Sequence, residues 1–377
     1  MSVWQDKFAI GLTGNIATGK SVVRKMLEHL GAYGIDADAL ARRAIARDAP
    51  GYQPVVDTFG NWVVGSEGQI DRAKLARVVF SDPHALARLE TIVHPLVGQA
   101  VDLLVRRSTH RVVVVEAIKL LESGLGGACD SIWVTVAPEE IQLARLMRKR
   151  GMTEADAWQR INAQPTQKDK IAVADVIIHN DRGFEETWQQ VETAWQEAFA
   201  SAEAARTRPQ VAPEKGFQVE RARLQQAAKI ADFVTHHSKG RRSMTREEVV
   251  AAFGEKAFLL LKNDGRLVGM VGWQVENLVA RTSDVYLERG ISLEKAMSLL
   301  MEEVERVSHE LQCEVSLLFL PPSLARHAAV WRNLHYEPRT IQSLGVRAWQ
   351  EAAEESMPKG TVLLFKQLRK DRVLRPV

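Results

Sequence analysis

Apolar residues follow two rhythms along the chain: short continuous runs, and spacings of three to four. Continuous runs at 8–12, 112–116 and 131–136 predict strands buried on both faces of a parallel sheet. Shorter apolar stretches at 33–36 and 175–179 complete a set of five strands. Amphipathic runs at 22–30, 39–46 and 184–199 predict helices between and after them. This alternation predicts an α/β fold, a doubly wound parallel sheet. Residues 52–107 read as mostly helical, with loops at Gly60 and 65–68, and Pro95 marks a kink or a new helix start. Further helices are expected from Pro138 to Gly151 and over 153–164.

The pattern then breaks. Residues 201–216 are polar and Ala-rich and contain Pro209 and Pro213, the composition of a linker. The chain is therefore divided into 1–205, a linker at 206–216, and a second domain at 217–377. In that second part the spacing predicts a helix over 218–237 and a short one over 245–253, with Thr245 and Glu248 as a capping box. A hairpin follows, 257–261 with 266–273, around the turn Asn263-Asp264-Gly265. A third strand region at 275–287, a helix at 292–311, a strand at 314–319, a helix at 323–334 and a last strand at 362–365 complete it.

Length changes the picture little: 377 residues also imply two domains. Charge changes it more. Fifty basic against 47 acidic residues argue against a general role on nucleic acid or at a membrane surface. No apolar run reaches the length of a membrane span, and the N-terminus lacks a signal pattern, so a cytoplasmic protein is expected. Cys129 and Cys313 lie beside apolar segments and are expected to be buried free thiols, with no Cys/His zinc spacing.

The candidate chemistry sits at strand ends. Gly14-Asn15-Ile16-Ala17-Thr18-Gly19-Lys20-Ser21 fits G-x-x-x-x-G-K-[ST] and lies between a strand and a helix. Gly14 and Gly19 allow backbone angles denied to other residues. The N–H groups from Asn15 to Val22 then point at phosphate oxygens. Lys20 is a point charge for the outer phosphates of a nucleotide, and Ser21 is a ligand for Mg²⁺. Asp36 and Asp38 close the second strand. Being two apart, they share a face of an extended stretch, one to position substrate or metal and the other to accept a hydroxyl proton. Asp38 as no more than a helix cap is the plainer reading. Arg145 and Arg148 close a helix with basic residues, which complements its dipole or clamps phosphates under a lid. His94 alone on a helix reads as structural.

Taken in order, these pieces resemble bacterial dephospho-coenzyme A kinase over 7–200. They are the loop from Gly11 to Ser21, Ile35-Asp36-Ala37-Asp38 with Arg42, Phe59-Gly60, Asp71-Arg72, Leu89 to Pro95, Pro138 to Leu146, Arg160 to Gln164, and Ala174 to Asn180. The resemblance implies a P-loop NTPase core with a helical substrate domain and a lid. It implies transfer of the γ-phosphoryl of ATP to the ribose 3′-hydroxyl of dephospho-CoA, giving CoA and ADP. By position it makes Asp38 the base, puts Arg145 and Arg148 on transition-state charge with Arg160 behind them, puts Asn180 near adenine, and turns Arg72 and His94 to dephospho-CoA. This chain departs from the family at Asn15, where a second glycine is usual, and at Lys119, where an apolar residue is usual. Lys119 is either a phosphate or substrate contact or a solvated lysine.

Residues 218–368 resemble the acyl-CoA N-acyltransferase fold, a mixed α/β domain. Its pyrophosphate loop is reduced to Arg289-Gly290-Ile291-Ser292, and Trp331 stands where that family often has a Tyr acid, with a buried core side chain as its reading here. Three roles follow: a degenerate domain that binds CoA or acetyl-CoA and regulates the kinase, an active acyltransferase, or a scaffold. For the whole chain the alternatives are another P-loop nucleoside or small-molecule kinase, and a nucleotide-sensing switch with a partner-binding second half. Oligomeric state is not legible.

Overall fold

Five apolar runs pair into one parallel sheet. They are β1 (Phe8–Thr13), β2 (Tyr33–Asp36), β3 (Val112–Glu116), β4 (Ser131–Val136) and β5 (Val176–His179), in the order β2-β3-β1-β4-β5. The computed structural model describes residues 3–203, 216–238, 242–371 and 373. The strand period of two is visible on β3. Val113 and Val115 join one core with Leu40, Val101 and Leu104, while Val112 and Val114 join the other with Val23, Met26, Val191 and Trp195. Both faces are covered, which is why β3 reads as an unbroken apolar run.

The covering helices are α1 (Lys20–His29), α2 (Ala37–Ala44), α3 (Tyr52–Phe59), α4 (Arg72–Ser81), α5 (Pro83–Arg107), α6 (Glu139–Arg150), α7 (Glu154–Asn162), α8 (Gln167–Ile171) and α9 (Phe184–Glu203). Most fall where spacing places them. Pro95 starts no new helix: α5 runs through it, opening instead at Pro83 under the Asp82 cap. Helix α8 and a 3-10 turn at Leu125–Ala128 have no sequence counterpart among the expectations.

The second half is a seven-stranded mixed sheet. Its strands are β6 (Phe217–Arg221), β7 (Ala257–Asn263), β8 (Arg266–Glu276), β9 (Val279–Leu287), β10 (Val315–Leu320), β11 (Glu337–Pro338) and β12 (Val362–Gln367), ordered β11-β12-β10-β9-β8-β7-β6. One pair, β9 with β10, is parallel; all others are antiparallel. Its helices are α10 (Ala227–His237), α11 (Arg246–Ala252), α12 (Leu293–Glu310), α13 (Pro322–Ala325), α14 (Ala328–Asn333) and α15 (Arg347–Ser356). A mixed sheet with its long helix crossing between the parallel strands is a mixed α/β domain, as expected. The Thr245/Glu248 capping box and the Asp264-Gly265 turn, both residues at positive φ, are as read from sequence.

Three expectations are corrected. The helix over 218–237 is a strand, β6, followed by α10, because Phe217 to Arg221 pairs with β7 as a sheet edge. The strand region at 275–287 is the end of β8, a two-residue turn and β9. The helix over 323–334 is two short helices. Cys313 is buried, whereas Cys129 is only half-buried, and both are free thiols. The linker at 206–215 lies outside the described residues. No helix among the described residues is long and apolar enough to cross a membrane.

The halves meet along α1 and α2. The β8–β9 turn places Asn277 and Leu278 at φ 53° and 61°, and Leu278 buries its side chain in the core of the first half. A leucine is disfavoured in the left-handed region, so packing must hold it there. Lys25 Nζ donates to Val275 O (2.8 Å), and Arg43 Nη1 donates to Asn277 O (2.7 Å). Arg43 also pairs with the buried Glu314 carboxylate at 2.5 Å, whose other oxygen accepts from Trp349 Nε1 (3.0 Å).

Candidate active site

The loop after β1 turns on its glycines. Gly14 and Gly19 have φ of 150° and 100°, and a Cβ on Gly19 would lie 1.8 Å from Asn180 Nδ2. Ala17 also adopts positive φ, 59°. Lys20 Nζ folds back on Gly14 O and Asn15 O at 3.1 and 3.2 Å. Thr18 Oγ1 lies 2.8 Å from Thr135 Oγ1 on β4, tying the loop to the sheet. The loop is braced from outside as well. Asn15 Nδ2 donates to Pro165 O (2.8 Å) and Gln164 Oε1 accepts from Ile16 N (2.7 Å). Arg145 Nη1 reaches Ala17 O (3.1 Å), Nη2 reaches Asn180 O (2.8 Å), and Asn180 Nδ2 donates to Thr18 O (2.8 Å). Arg148 and Arg160 are exposed.

Beside the loop, the strand-end acids do different work. The chain turns helical at Ala37, so Asp36 and Asp38 do not share an extended face. Asp36, not Asp38, caps α2, accepting from Ala39 N at 2.7 Å. Asp38 points away in the first turn of α2, where its Oδ2 accepts from Ile118 N at 3.1 Å. Burial pushes the Asp38 carboxyl up from its ordinary value, against the pull of Lys20 and the Ile118 N–H. Burial, with Glu116 nearby, pushes Asp36 up to about 6. Asp38 opens on an apolar pocket of about 280 Å³ lined by Ala41, Leu89, Val93, His94, Val97 and Lys119 among others. Asp38 and His94 thus line one pocket. A kinase acceptor site would look like this: a carboxylate near the phosphate loop, facing an apolar slot for a nucleoside.

Residues 8–186 match the sequence model of the dephospho-CoA kinase family. The dephospho-CoA kinase of Streptomyces avermitilis is 44% identical over 187 residues, which are 49% of this chain and 91% of that protein. That of Carboxydothermus hydrogenoformans is 40% identical over 190 residues, 50% of this chain and 92% of that one. The chain belongs to the dephospho-CoA kinase family. Its reaction is the ATP-dependent phosphorylation of dephospho-CoA at the 3′-hydroxyl to CoA and ADP, the last step of coenzyme A biosynthesis. A solved acetyltransferase of the GNAT family from Staphylococcus aureus Mu50 aligns over 41% of this chain and 99% of its own, at 12% identity and a TM-score of 0.33.

Within the dephospho-CoA kinase half, Arg72 stands apart from His94. It lines a separate cleft of about 250 Å³ between the halves and pairs with Glu351 of α15. Lys119 lines the Asp38 pocket but pairs with Glu90. Two charged residues went unassigned in the sequence reading. Glu116, closing β3, accepts from Ser21 Oγ (2.7 Å) and Arg24 Nε (2.6 Å). Its position at a strand end beside the loop was the available signal. Lys170 is buried, donates to Ile118 O at 2.7 Å, and lies within the field of Asp38 and Lys20. A five-residue helix gives too little periodicity to flag it. Among the described residues, no group of three or more His, Cys, Asp or Glu forms a metal cluster.

Proposed function

We propose that Asp38 is the general base of the dephospho-CoA kinase reaction, on the observation that carries the reading: a half-buried carboxylate at the mouth of an apolar pocket, electrostatically tied to Lys20. The ribose 3′-hydroxyl enters the pocket beside His94, and Asp38 accepts its proton as the oxygen attacks the γ-phosphorus. A raised carboxyl suits a base, whose efficiency grows as its pKa approaches the working pH. The N–H groups from Asn15 to Val22 hold the phosphates, with Gly14 and Gly19 shaping the loop. Lys20 leaves Gly14 O and Asn15 O for the outer phosphates. Arg145, already over the loop, neutralises charge in the transition state, and Arg148, exposed one turn on, joins it when the lid closes. Asn180 packs beside Thr18 and Gly19 where the ATP base arrives. Asp36 orients α2 rather than taking a proton.

The oxygens around Ser21 suit a hard divalent cation. Ser21 and Glu116 would hold Mg²⁺, which neutralises phosphate charge when bound with ATP. We place the enzyme in the cytoplasm and its boundaries at 1–205, 206–216 and 217–377.

The second half we read as an acyltransferase-like domain, fused to the kinase, whose pyrophosphate site is lost. Glu288 and Glu294 flank the start of α12, where a phosphate would need N–H groups and no competing carboxylate. Trp331 is buried, its indole N–H bound to Leu324 O at 3.0 Å, so it offers no acid. A scaffold that braces the kinase is therefore favoured over CoA or acetyl-CoA binding. The experiment is twofold. Phosphorylation of dephospho-CoA is measured against adenosine and nucleoside monophosphates, with dephospho-CoA expected to be preferred. Acetyl-CoA is titrated into the full chain saturated with dephospho-CoA, and acetyl transfer to an amine panel is scored. Micromolar binding or transfer would reverse the scaffold reading.

A further inference from the structure

We infer that the second half completes the acceptor site, Arg347 on α15 serving with Arg42 and Arg72 to bind the 5′-diphosphate of dephospho-CoA. The inference rests on the reading of Asp38 as the base that receives the 3′-hydroxyl.

The argument begins on α2. Asp38 and Arg42 are four residues apart, so they share one helical face. Both line the apolar pocket, and Arg42 with Ile45 also lines the cleft between the halves. The two cavities therefore adjoin, with Arg42 and Ile45 lining both. A ribose whose 3′-hydroxyl meets Asp38 carries its 5′-diphosphate on the opposite side of the same ring. That places the diphosphate at Arg42 and the remainder of the substrate in the cleft. Size agrees. Each cavity, about 280 and about 250 Å³, falls below the roughly 300–1,000 Å³ of ordinary small-molecule pockets, and this substrate is long.

The cleft is built from both halves and is rich in guanidinium groups. Arg43 is committed to Glu314 and Asn277. Arg42 makes no side-chain hydrogen bond or ion pair among the described residues, and acts on Asp36 and Asp38 only through its field. Arg347 Nε lies 3.3 Å from Glu351 Oε1, and its Nη1 lies 3.8 Å from Glu67 Oε2, while Arg72 pairs with the same Glu351. Three guanidinium groups thus face two carboxylates. Arg72 and Arg347 are each about half exposed, with 50% and 41% of their side chains accessible, and their carboxylate partners, Glu67 exposed and Glu351 half-buried, can be displaced by a diphosphate at small cost. Planar guanidinium forks match phosphate oxygens in pairs. The Streptomyces avermitilis relative is spanned over 91% of its length by the kinase half, so it has no counterpart of Arg347.

The test is steady-state kinetics of the full chain with Arg347→Ala and Arg347→Lys. Arg347→Ala is expected to raise KM for dephospho-CoA about tenfold, the loss of one charge-assisted contact, with kcat and KM for ATP unchanged. Arg347→Lys is expected to recover part of it. Adenosine, which lacks the diphosphate, is expected to show the same KM with either variant. Thermal unfolding should not move, because the side chain is exposed. Turnover of dephospho-CoA with KM within twofold of wild type in Arg347→Ala would overturn the inference alone. A matching KM change for adenosine would also overturn it, since the effect would not come from the diphosphate. Absence of turnover in the wild type would overturn the kinase reading on which it rests.

Discussion

In the proposed reaction Asp38 accepts one proton, so its charge state is directly measurable. Asp38→Asn keeps the shape and loses the base; kcat is expected to fall about 10²–10⁴-fold with ATP affinity unchanged in a nucleotide titration. Near wild-type turnover would remove Asp38 from the role. In the wild type, the acid limb of the kcat profile should lie above the ordinary carboxylate value of 3.8, because burial raises Asp38. Asp36 predicts a different signature. Its folded pKa of about 6 exceeds 3.8, so the folded state binds the proton more tightly. Its contribution to stability is full below 3.8 and is lost as pH rises through 6. Asp36→Asn should therefore flatten the fall in denaturation midpoint between pH 4 and 7. At Gly19 the geometry is unforgiving: φ is 100°, and an added Cβ would overlap Asn180. Gly19→Ala should abolish ATP binding in the same titration.

The role proposed for α6 follows from where its middle turn lies. Pro138 and Glu139 start it, Gly151 at φ 61° stops it, and Arg145 therefore falls over Ala17, Thr18 and Asn180. Arg145→Ala should lower kcat about a hundredfold or more, read by single-turnover kinetics. Elements such as this were legible because caps and apolar period agree. Strands β1, β3 and β4 were legible because a strand buried on both faces leaves a continuous apolar run, while β2 and β5, half-buried, were legible as short apolar stretches between helices. The failures share a cause too. Strand β6 has half-buried and exposed residues and takes its conformation from pairing with β7, a partner some forty residues away that local spacing does not reveal. The acids failed at one residue: a chain that turns helical at Ala37 separates Asp36 from Asp38, and two-residue spacing holds only while the strand continues. The P-loop, Asp38 and His94 were singled out by motif, Glu116 offered only its strand-end position as a signal, and Lys170 and Arg347 come beside these residues only in three dimensions.

At the scale of the molecule, the join between the halves is made of buried charge rather than apolar surface alone. Arg43 and Glu314 keep 10% and 1% of their side chains exposed, and each is fully engaged, Arg43 by Asn277 O and Glu314 by Trp349. Such a pair adds little net energy over an apolar contact, yet removing one partner strands the other. Arg43→Ala should therefore destabilise the chain by about 3–5 kcal/mol in denaturant unfolding. Arg43→Met with Glu314→Leu should recover much of that loss, and the double-mutant cycle isolates the coupling. The same salt bridge anchors the last turn of α2, whose first turn holds Asp38, so the doubly substituted protein separates two functions of the brace. If stability returns while kcat stays low, the pair fixes the geometry of the base. If both return, any well-packed contact suffices and the second half acts on the kinase through the arginine cleft alone.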